Sequence, residues 1–244
     1  VWSFEPNPTP DHSIFMLSTE QSPAHRIRSF IRRQGRITQG QQLALDNHWD
    51  RYCLDPDADY DFNQVFGRAA PLIVEIGFGT GDSLAKMAAA NPDNDYIGIE
   101  VHKPGVGHLM LLLDQQGLTN VRIYCHDAID IIEHKVADNS LAGVHLFFPD
   151  PWPKKKHHKR RIVRPSFVEL LARKLQPDGY FHAATDWQNY AEHMLEILSA
   201  GAGLGNASQT GDYCERPEYR PLTRFEQRGL RLGHGVWDLI FRRK

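Results

Sequence analysis

Four acidic residues stand at or just beyond the ends of short apolar runs. Glu75 lies inside LIVEI, Glu100 closes YIGIE, Asp127 comes two residues after VRIYC, and Asp150 two residues after LAGVHLFF. A carboxylate in such a place can cap the helix that follows, accept hydrogen bonds from sugar hydroxyls or ring amino groups, or face a cation. Four in succession are too many to be caps alone; Asp127, directly before the helical AIDIIEHKV, best suits a cap. Asp150 lies in the densest chemical stretch of the chain, FFPDPWPKKKHHKRRIV (147–163). Pro149 and Pro151 fix it on both sides, and Lys154, Lys155, Lys156, Lys159, Arg160 and Arg161 follow. A fixed acid beside a run of cations suits a reacting centre next to a bound polyanion. Phosphate contacts would position such a ligand while groups near the acid select the reacting atom.

The first apolar run leads into the turn EIGFGTGD (75–82), where Gly77, Gly79 and Gly81 let the backbone approach a ligand closely. The dinucleotide pattern wants a glycine where Asp82 stands. Glu75 would repel a pyrophosphate but attract an ammonium or a sulfonium. S-adenosylmethionine carries both, so the turn favours that cofactor over NAD. In this frame Glu100 accepts from the ribose hydroxyls, and His126 or Asp127 accepts from the adenine amino group. No Ser-His or Cys-His pair stands out as a nucleophile. His157 and His158 have no third ligand at metal-site spacing, so no metal is expected.

These residues must be held by a repeating frame. LIVEI (72–76), YIGIE (96–100), VRIYC (121–125), LAGVHLFF (141–148) and YFHAAT (180–185) read as strands, with VWDLIFR (236–242) closing the chain as another. Between them SLAKMAAAN (83–91), GVGHLMLLLDQQG (105–117), AIDIIEHKV (128–136), RPSFVELLARKLQPDG (164–179) and YAEHMLEILSA (190–200) read as helices, the fourth with Pro near its start and Pro-Asp-Gly past its end. A helix-like segment ends near Trp49, and a Gly-rich connector follows residue 200. Strand–helix alternation of this length predicts an α/β fold, a mostly parallel sheet with helices on both faces. Ligands of such sheets bind at the carboxyl ends of the strands.

The chain has 244 residues, 41% hydrophobic and 24% charged, the balance of an ordinary globular protein. Residues 1–24, rich in Pro, Ser and Thr, read as a flexible tail, and 25–244 as a single domain with a basic N-terminal segment. The missing initiator Met reads as trimming. No apolar run is long enough for a membrane span and no secretory signal is visible. Cys53, Cys125 and Cys214 are far apart and read as isolated thiols of a cytoplasmic protein, monomer or homodimer. The formal net charge is only −2, but it is segregated. Besides the run after Asp150, Arg26, Arg28, Arg32, Arg33 and Arg36 form a second basic cluster, and Arg216, Arg220, Arg224, Arg228 and Arg231 a third. Such segregation can build a positive face for a polyanion.

EIGFGTG, GIEVHKPGVG, CHDA, FFPDPWPKKKHHKRRIV, ATDWQNYAEHMLE and TRFEQRG occur in this order, and together they resemble the bacterial tRNA (guanine-N7-)-methyltransferase family from about Arg26 to Arg243. The resemblance implies a Rossmann-like class I methyltransferase domain, S-adenosylmethionine as donor, and a guanine in the variable loop of tRNA as target. Carried over residue by residue, it implies that Glu75, Gly77, Gly79, Gly81, Glu100, Asp127, Ala128 and Asp150 bind the cofactor and that Asp150 is the catalytic acid. Lys154, Asp186, Thr223, Arg224, Phe225 and Glu226 match substrate-binding positions. Lys156, His157, His158, Lys159, Arg160 and Arg161 match an RNA-contacting segment, with Lys156 where relatives often carry Arg. Asp186 or Glu226 would choose the base, and Trp152, Phe147 or Trp187 could stack on it, although Phe147 also reads as strand core. The competing reading is a methyltransferase for a small acceptor, which would need no basic clusters. An RNA-binding protein without activity fits the intact glycine turn and Asp150 less well, and an NAD oxidoreductase is disfavoured by Asp82 and Glu75.

Overall fold

The computed structural model describes residues 28–30, 35–223, 226 and 235–244. The expected tail over 1–24, the substrate-site candidates Arg224 and Phe225, and most of the second basic cluster lie outside these residues. Near-continuous runs of Val, Ile, Leu and Phe produce strands buried on both faces. They are β1 (Leu72–Ile76), β2 (Asp95–Ile99), β3 (Val121–Tyr124), β4 (Leu141–Phe147), β5 (Leu175–Thr185), β6 (Leu204–Asn206) and β7 (Trp237–Arg243). Among the described residues these strands form one sheet in the order β3-β2-β1-β4-β5-β7-β6. The first five are parallel, β7 runs antiparallel to β5, and β6 antiparallel to β7. The strand order reverses between β1 and β4, and a crevice opens there at the carboxyl edge.

Helices α1 (Gln39–Tyr52), α3 (Asp82–Ala90) and α4 (Lys103–Gln115) cover one face, packing Ala44, Leu84, Met87, Leu109 and Leu113 into one core. On the other face α5 (Ala128–Lys135), α6 (Pro165–Lys174) and α7 (Gln188–Ala200) bury Ile131, Ile132, Phe167, Leu171, Met194 and Leu198. The Rossmann-like expectation therefore holds, with helices on both sides of a mostly parallel sheet.

Three local features depart from the sequence reading. A short helix, α2 (Phe62–Phe66), precedes β1, and β6 falls inside the stretch read as a connector. Pro177-Asp178-Gly179, expected to end a helix, lies instead within the span of β5. Leu175 pairs with Leu141, the register then shifts, and Tyr180 pairs with Gly143. Asp178 takes φ 62 at the irregularity, a conformation that Asp tolerates better than most side chains.

Candidate functional site

A cavity of about 230 Å³ opens at the switch point, lined by Gly77, Glu100, His126, Ala128, Phe148, Pro149 and Asp150, among others. Its first wall is the turn after β1. Gly77 and Gly79 have φ +69 and +60, and a methyl group added at either would meet nothing within 4 Å, so both leave room over the backbone. At Gly105 of α4 an added Cβ would lie 2.0 Å from the Gly79 carbonyl oxygen, so only glycine lets that helix close against the turn. Glu100 ties the wall together. Its Oε2 accepts from Gly79 N at 2.9 Å, and its Oε1 from Val101 N at 2.7 Å and His102 N at 3.0 Å.

Glu75 is 2% exposed beneath this wall, and its Oε2 has no hydrogen-bond partner among the described residues. Burial, with a smaller push from the Glu100 charge, raises its carboxyl to about 8. Asp127 caps α5, accepting from Ile129 N at 3.0 Å, as its place before the helix suggested. His126, on the cavity wall, has a buried Nδ1 without a partner among the described residues. Together these are an orphaned carboxyl oxygen that a cation bound beside it would ionise, a held carboxylate just past β2, and a ring nitrogen with no partner among the described residues. That donor and acceptor set fits the ammonium, ribose and adenine of S-adenosylmethionine.

The opposite wall is the loop after β4. Phe148 donates its N–H to Ala184 O at 2.7 Å, and the chain then turns sharply. Phe148 and Trp152 have φ 52 and 47, left-handed values that cost a bulky side chain on the order of 1–3 kcal/mol each. Between them Asp150 is exposed at the cavity mouth, and its carboxylate bonds no described residue. Trp152 is used in packing. Its Nε1 donates to Ser29 O at 3.2 Å, and its ring takes the Arg160 guanidinium at 5.0 Å and the His157 ring edge at 6.0 Å. Phe147 is core, as its strand position implied. Ser29 and Phe30 also line the cavity. The sequence reading did not single them out, and an aromatic beside a basic cluster was the only signal.

The basic run forms a 3-10 turn over Lys155–Arg160. Lys154, Lys155, Lys156 and Lys159 are exposed, while His157, His158 and Arg160 are partly covered. Desolvation, followed by the Lys156 and Arg160 charges, lowers the His157 pKa, which favours a neutral ring. Arg161 departs from the run. It is 3% exposed and turned inward, although it was expected among the RNA contacts.

A second cluster lies behind Phe147. Arg220, 1% exposed, bonds Glu226 through Nη1 and Nη2 at 2.8 Å each, and Asp238 of β7 through Nε at 2.6 Å and Nη2 at 2.9 Å. Its guanidinium stands 5.9 Å from the Phe147 ring and 5.6 Å from that of Phe148. Asp238 also accepts from His182 Nε2 at 2.7 Å, which leaves Nδ1 to accept from the Tyr219 hydroxyl at 2.9 Å. Burial lowers the His182 pKa and works to raise that of Asp238. The His182 and Arg220 bonds prevail on the latter and hold it below the usual range.

Two of the expected substrate positions are therefore occupied structurally. Thr223 Oγ1 accepts from Glu226 N at 3.0 Å and Glu226 Oε2 from Thr223 N at 3.4 Å, a reciprocal capping box whose acid also grips Arg220. Glu226 is 3% exposed with both oxygens bonded. Asp186, just past β5, is half-buried with no bond to a described residue, next to Trp187, which is 43% exposed. Of the two carboxylates considered for base choice, Asp186 is the one left open. Among the described residues no three His, Cys, Asp or Glu side chains group as a metal site, and no helix is long and apolar enough to cross a membrane.

The chain is similar to known proteins at two levels. The family model described as "Putative methyltransferase" matches residues 69–239. A tRNA (guanine-N(7)-)-methyltransferase of Alcanivorax borkumensis is 57% identical over 90% of this chain and 92% of that protein. One of Hydrogenovibrio crunogenus is 57% identical over 91% and 93%. Among solved structures, the 16S rRNA methyltransferase KamB superposes with a TM-score of 0.57 at 17% identity, covering 77% of this chain and 95% of that one. A 16S rRNA (adenine(1408)-N(1))-methyltransferase from Catenulisporales acidiphilia, solved with S-adenosylmethionine, gives 0.52 at 14%, covering 78% and 92%. These two show the shared fold.

Proposed function

The chain belongs to the tRNA (guanine-N(7)-)-methyltransferase family, and from that membership we infer how its carboxyl-edge site transfers a methyl group from S-adenosylmethionine to N7 of a guanine in tRNA. The target guanine lies in the variable loop, and the reaction takes place in the cytoplasm. The observation that carries the assignment of roles is the position of Asp150. Its carboxylate bonds no described residue, and it stands at the mouth of a cavity that Gly77, Glu100 and His126 also line.

S-adenosylmethionine supplies an electrophilic methyl group on a sulfonium. Guanine N7 has a free lone pair and no proton, so this chain needs no strong general base. It needs alignment, which can be worth about 7–11 kcal/mol of barrier. Gly77 and Gly79 admit the donor, Glu100 holds the turn and the ribose, and Asp127 and Ala128 close the adenine end. The guanine ring becomes cationic as N7 is alkylated, and Asp150 stabilises that developing charge from a fixed position. Asp186 accepts from the amino and imino hydrogens that distinguish guanine from adenine, and the exposed Trp187 offers a face for a base taken out of its stack. Lys154 holds the substrate backbone beside Asp150. Lys156, His157, His158, Lys159 and Arg160 face the tRNA phosphates, a surface that a small-molecule acceptor would not require. Thr223 and Glu226 act through their capping box, shaping the substrate side rather than touching the base.

The deciding experiment incubates the protein with unmodified tRNA and methyl-labelled S-adenosylmethionine, digests the RNA and identifies the labelled nucleoside. Label on 7-methylguanosine is expected. Absence of label from RNA while the cofactor still binds would overturn the tRNA reading.

A further inference from the structure

Adjacent arginines at the end of the basic run face opposite ways. Arg160 is partly exposed and lies on the outer face of Trp152. Arg161 ends the 3-10 turn with φ −57 and ψ 133, and that change of direction sends its side chain under the loop. There its Nε donates to Pro151 O at 3.0 Å and its Nη2 to Asn189 Oδ1 at 2.7 Å, and its guanidinium carbon lies 4.7 Å from the Tyr190 ring centroid. Ile162 and Val163, which follow, are buried. At 3% exposure, with two donors committed, Arg161 has no free face for a phosphate.

The bonded partners indicate what it does instead. Pro151 directly follows Asp150, and prolines at 149 and 151 deprive the loop of two N–H groups that could have anchored it. Between Pro149 and Pro153, among the described residues, the bond from Arg161 is the one side-chain hydrogen bond to this loop's backbone. Asn189 lies in the first turn of α7, three residues after Asp186. One planar guanidinium therefore spans from the Asp150 loop to the Asp186 segment, while the residues flanking that loop hold left-handed conformations that favour relaxation. A lysine could reach one of these acceptors but would lack the fixed fork that sets the distance between them.

We propose that Arg161 is a positioning residue of the methyl transfer and not a phosphate ligand: it clasps Pro151 to Asn189 and so fixes Asp150 relative to Asp186. This assignment rests on the reading that those two acids work on a tRNA guanine and that the exposed part of the basic run holds phosphates.

The test compares Arg161→Lys, Asn189→Ala, their combination and Arg160→Ala in the full chain. It measures kcat on tRNA, S-adenosylmethionine affinity, thermal stability, and the salt dependence of tRNA binding. Arg161→Lys is expected to lower kcat by about tenfold to a hundredfold, the effect of a displacement near 1 Å, with the cofactor affinity, melting temperature and salt slope unchanged. Asn189→Ala should lower kcat less, and the pair should lose no more than Arg161→Lys alone, because both act through one clasp. Arg160→Ala should reduce the salt slope by about one. A slope reduced by about one in Arg161→Lys with kcat retained would make it a phosphate ligand and overturn the proposal. So would kcat and slope both matching wild type, or parallel losses of cofactor affinity and stability. A wild type that leaves no label on tRNA guanine overturns the functional reading and this assignment with it. An active wild type that Arg161→Lys matches overturns only the assignment.

Discussion

Along the carboxyl edge of the sheet, the acids on the β1–β3 side and those on the β4–β7 side are held in different ways. Glu100 and Asp127 accept from backbone N–H groups, mostly one or two residues away, with Gly79 as a distant donor to Glu100. Glu226 and Asp238 are fixed by the side chain of Arg220, six and eighteen residues away, and Asp238 also by His182 across the sheet. The cofactor wall is thus a local construction of turns and helix starts. The substrate wall is a long-range one, joined by buried ions that each depend on the others. A local wall should lose its parts one at a time, whereas the long-range wall should fail as a unit.

The strongest way to break this comparison is to remove Arg220. Arg220→Met leaves Glu226 and Asp238 buried without their cation, and such losses cost about 3–5 kcal/mol. We expect a large drop in thermal stability. A loss below about 1 kcal/mol in denaturant unfolding would mean the cluster is not a joint. Next is Asp150→Ala, which takes a charge from the cavity mouth without removing a bond to any described residue. Turnover should fall by about 10²–10³-fold with tRNA affinity nearly intact, and equal losses in both would deny it a catalytic role. The third concerns Glu75. Its folded-state carboxyl is raised to about 8 from an ordinary 4.5, so the folded protein binds a proton that the unfolded chain has released. That contribution to stability is whole below pH 4.5 and is lost as the pH rises through 8, at up to about 1.4 kcal/mol per pH unit. Glu75→Gln should flatten the melting-temperature profile over that window, and an unchanged profile would show that Glu75 is not the group titrating. The smallest effect is Thr223→Ala, which removes one cap bond for about 1 kcal/mol and should raise KM for tRNA without altering cofactor affinity.

The same contrast explains what was legible in the sequence. The glycine turn and the helix cap at Asp127 were legible because they follow from neighbours: an apolar run, a turn, a helix start. The parallel frame followed from strand–helix alternation, and the start of α6 from its proline. The Arg220 cluster could not be read. Arg220 was counted in a basic surface cluster, yet it is among the most buried side chains, and nothing in its local sequence announces two carboxylate partners. His182 and Asp238 sit inside runs that read simply as strands. Arg161 was placed with the exposed run because its neighbours are cations, and only the backbone turn after Arg160 sends it inward. Pro177-Asp178-Gly179 looked like a stop signal, but the pairing of Leu175 with Leu141 carries the strand across it.

The position of β7 has a consequence in time. It is the last of the seven strands to leave the ribosome, yet it lies inside the sheet between β5 and β6 and carries Asp238. The cofactor wall has all its strands once Tyr124 has been made. The substrate wall must wait for the chain to return through Trp237–Arg243 before Arg220 has its second carboxylate. The growing polypeptide therefore acquires the strands behind the methyl donor well before it acquires a finished seat for the acceptor, so translation builds the two walls in sequence.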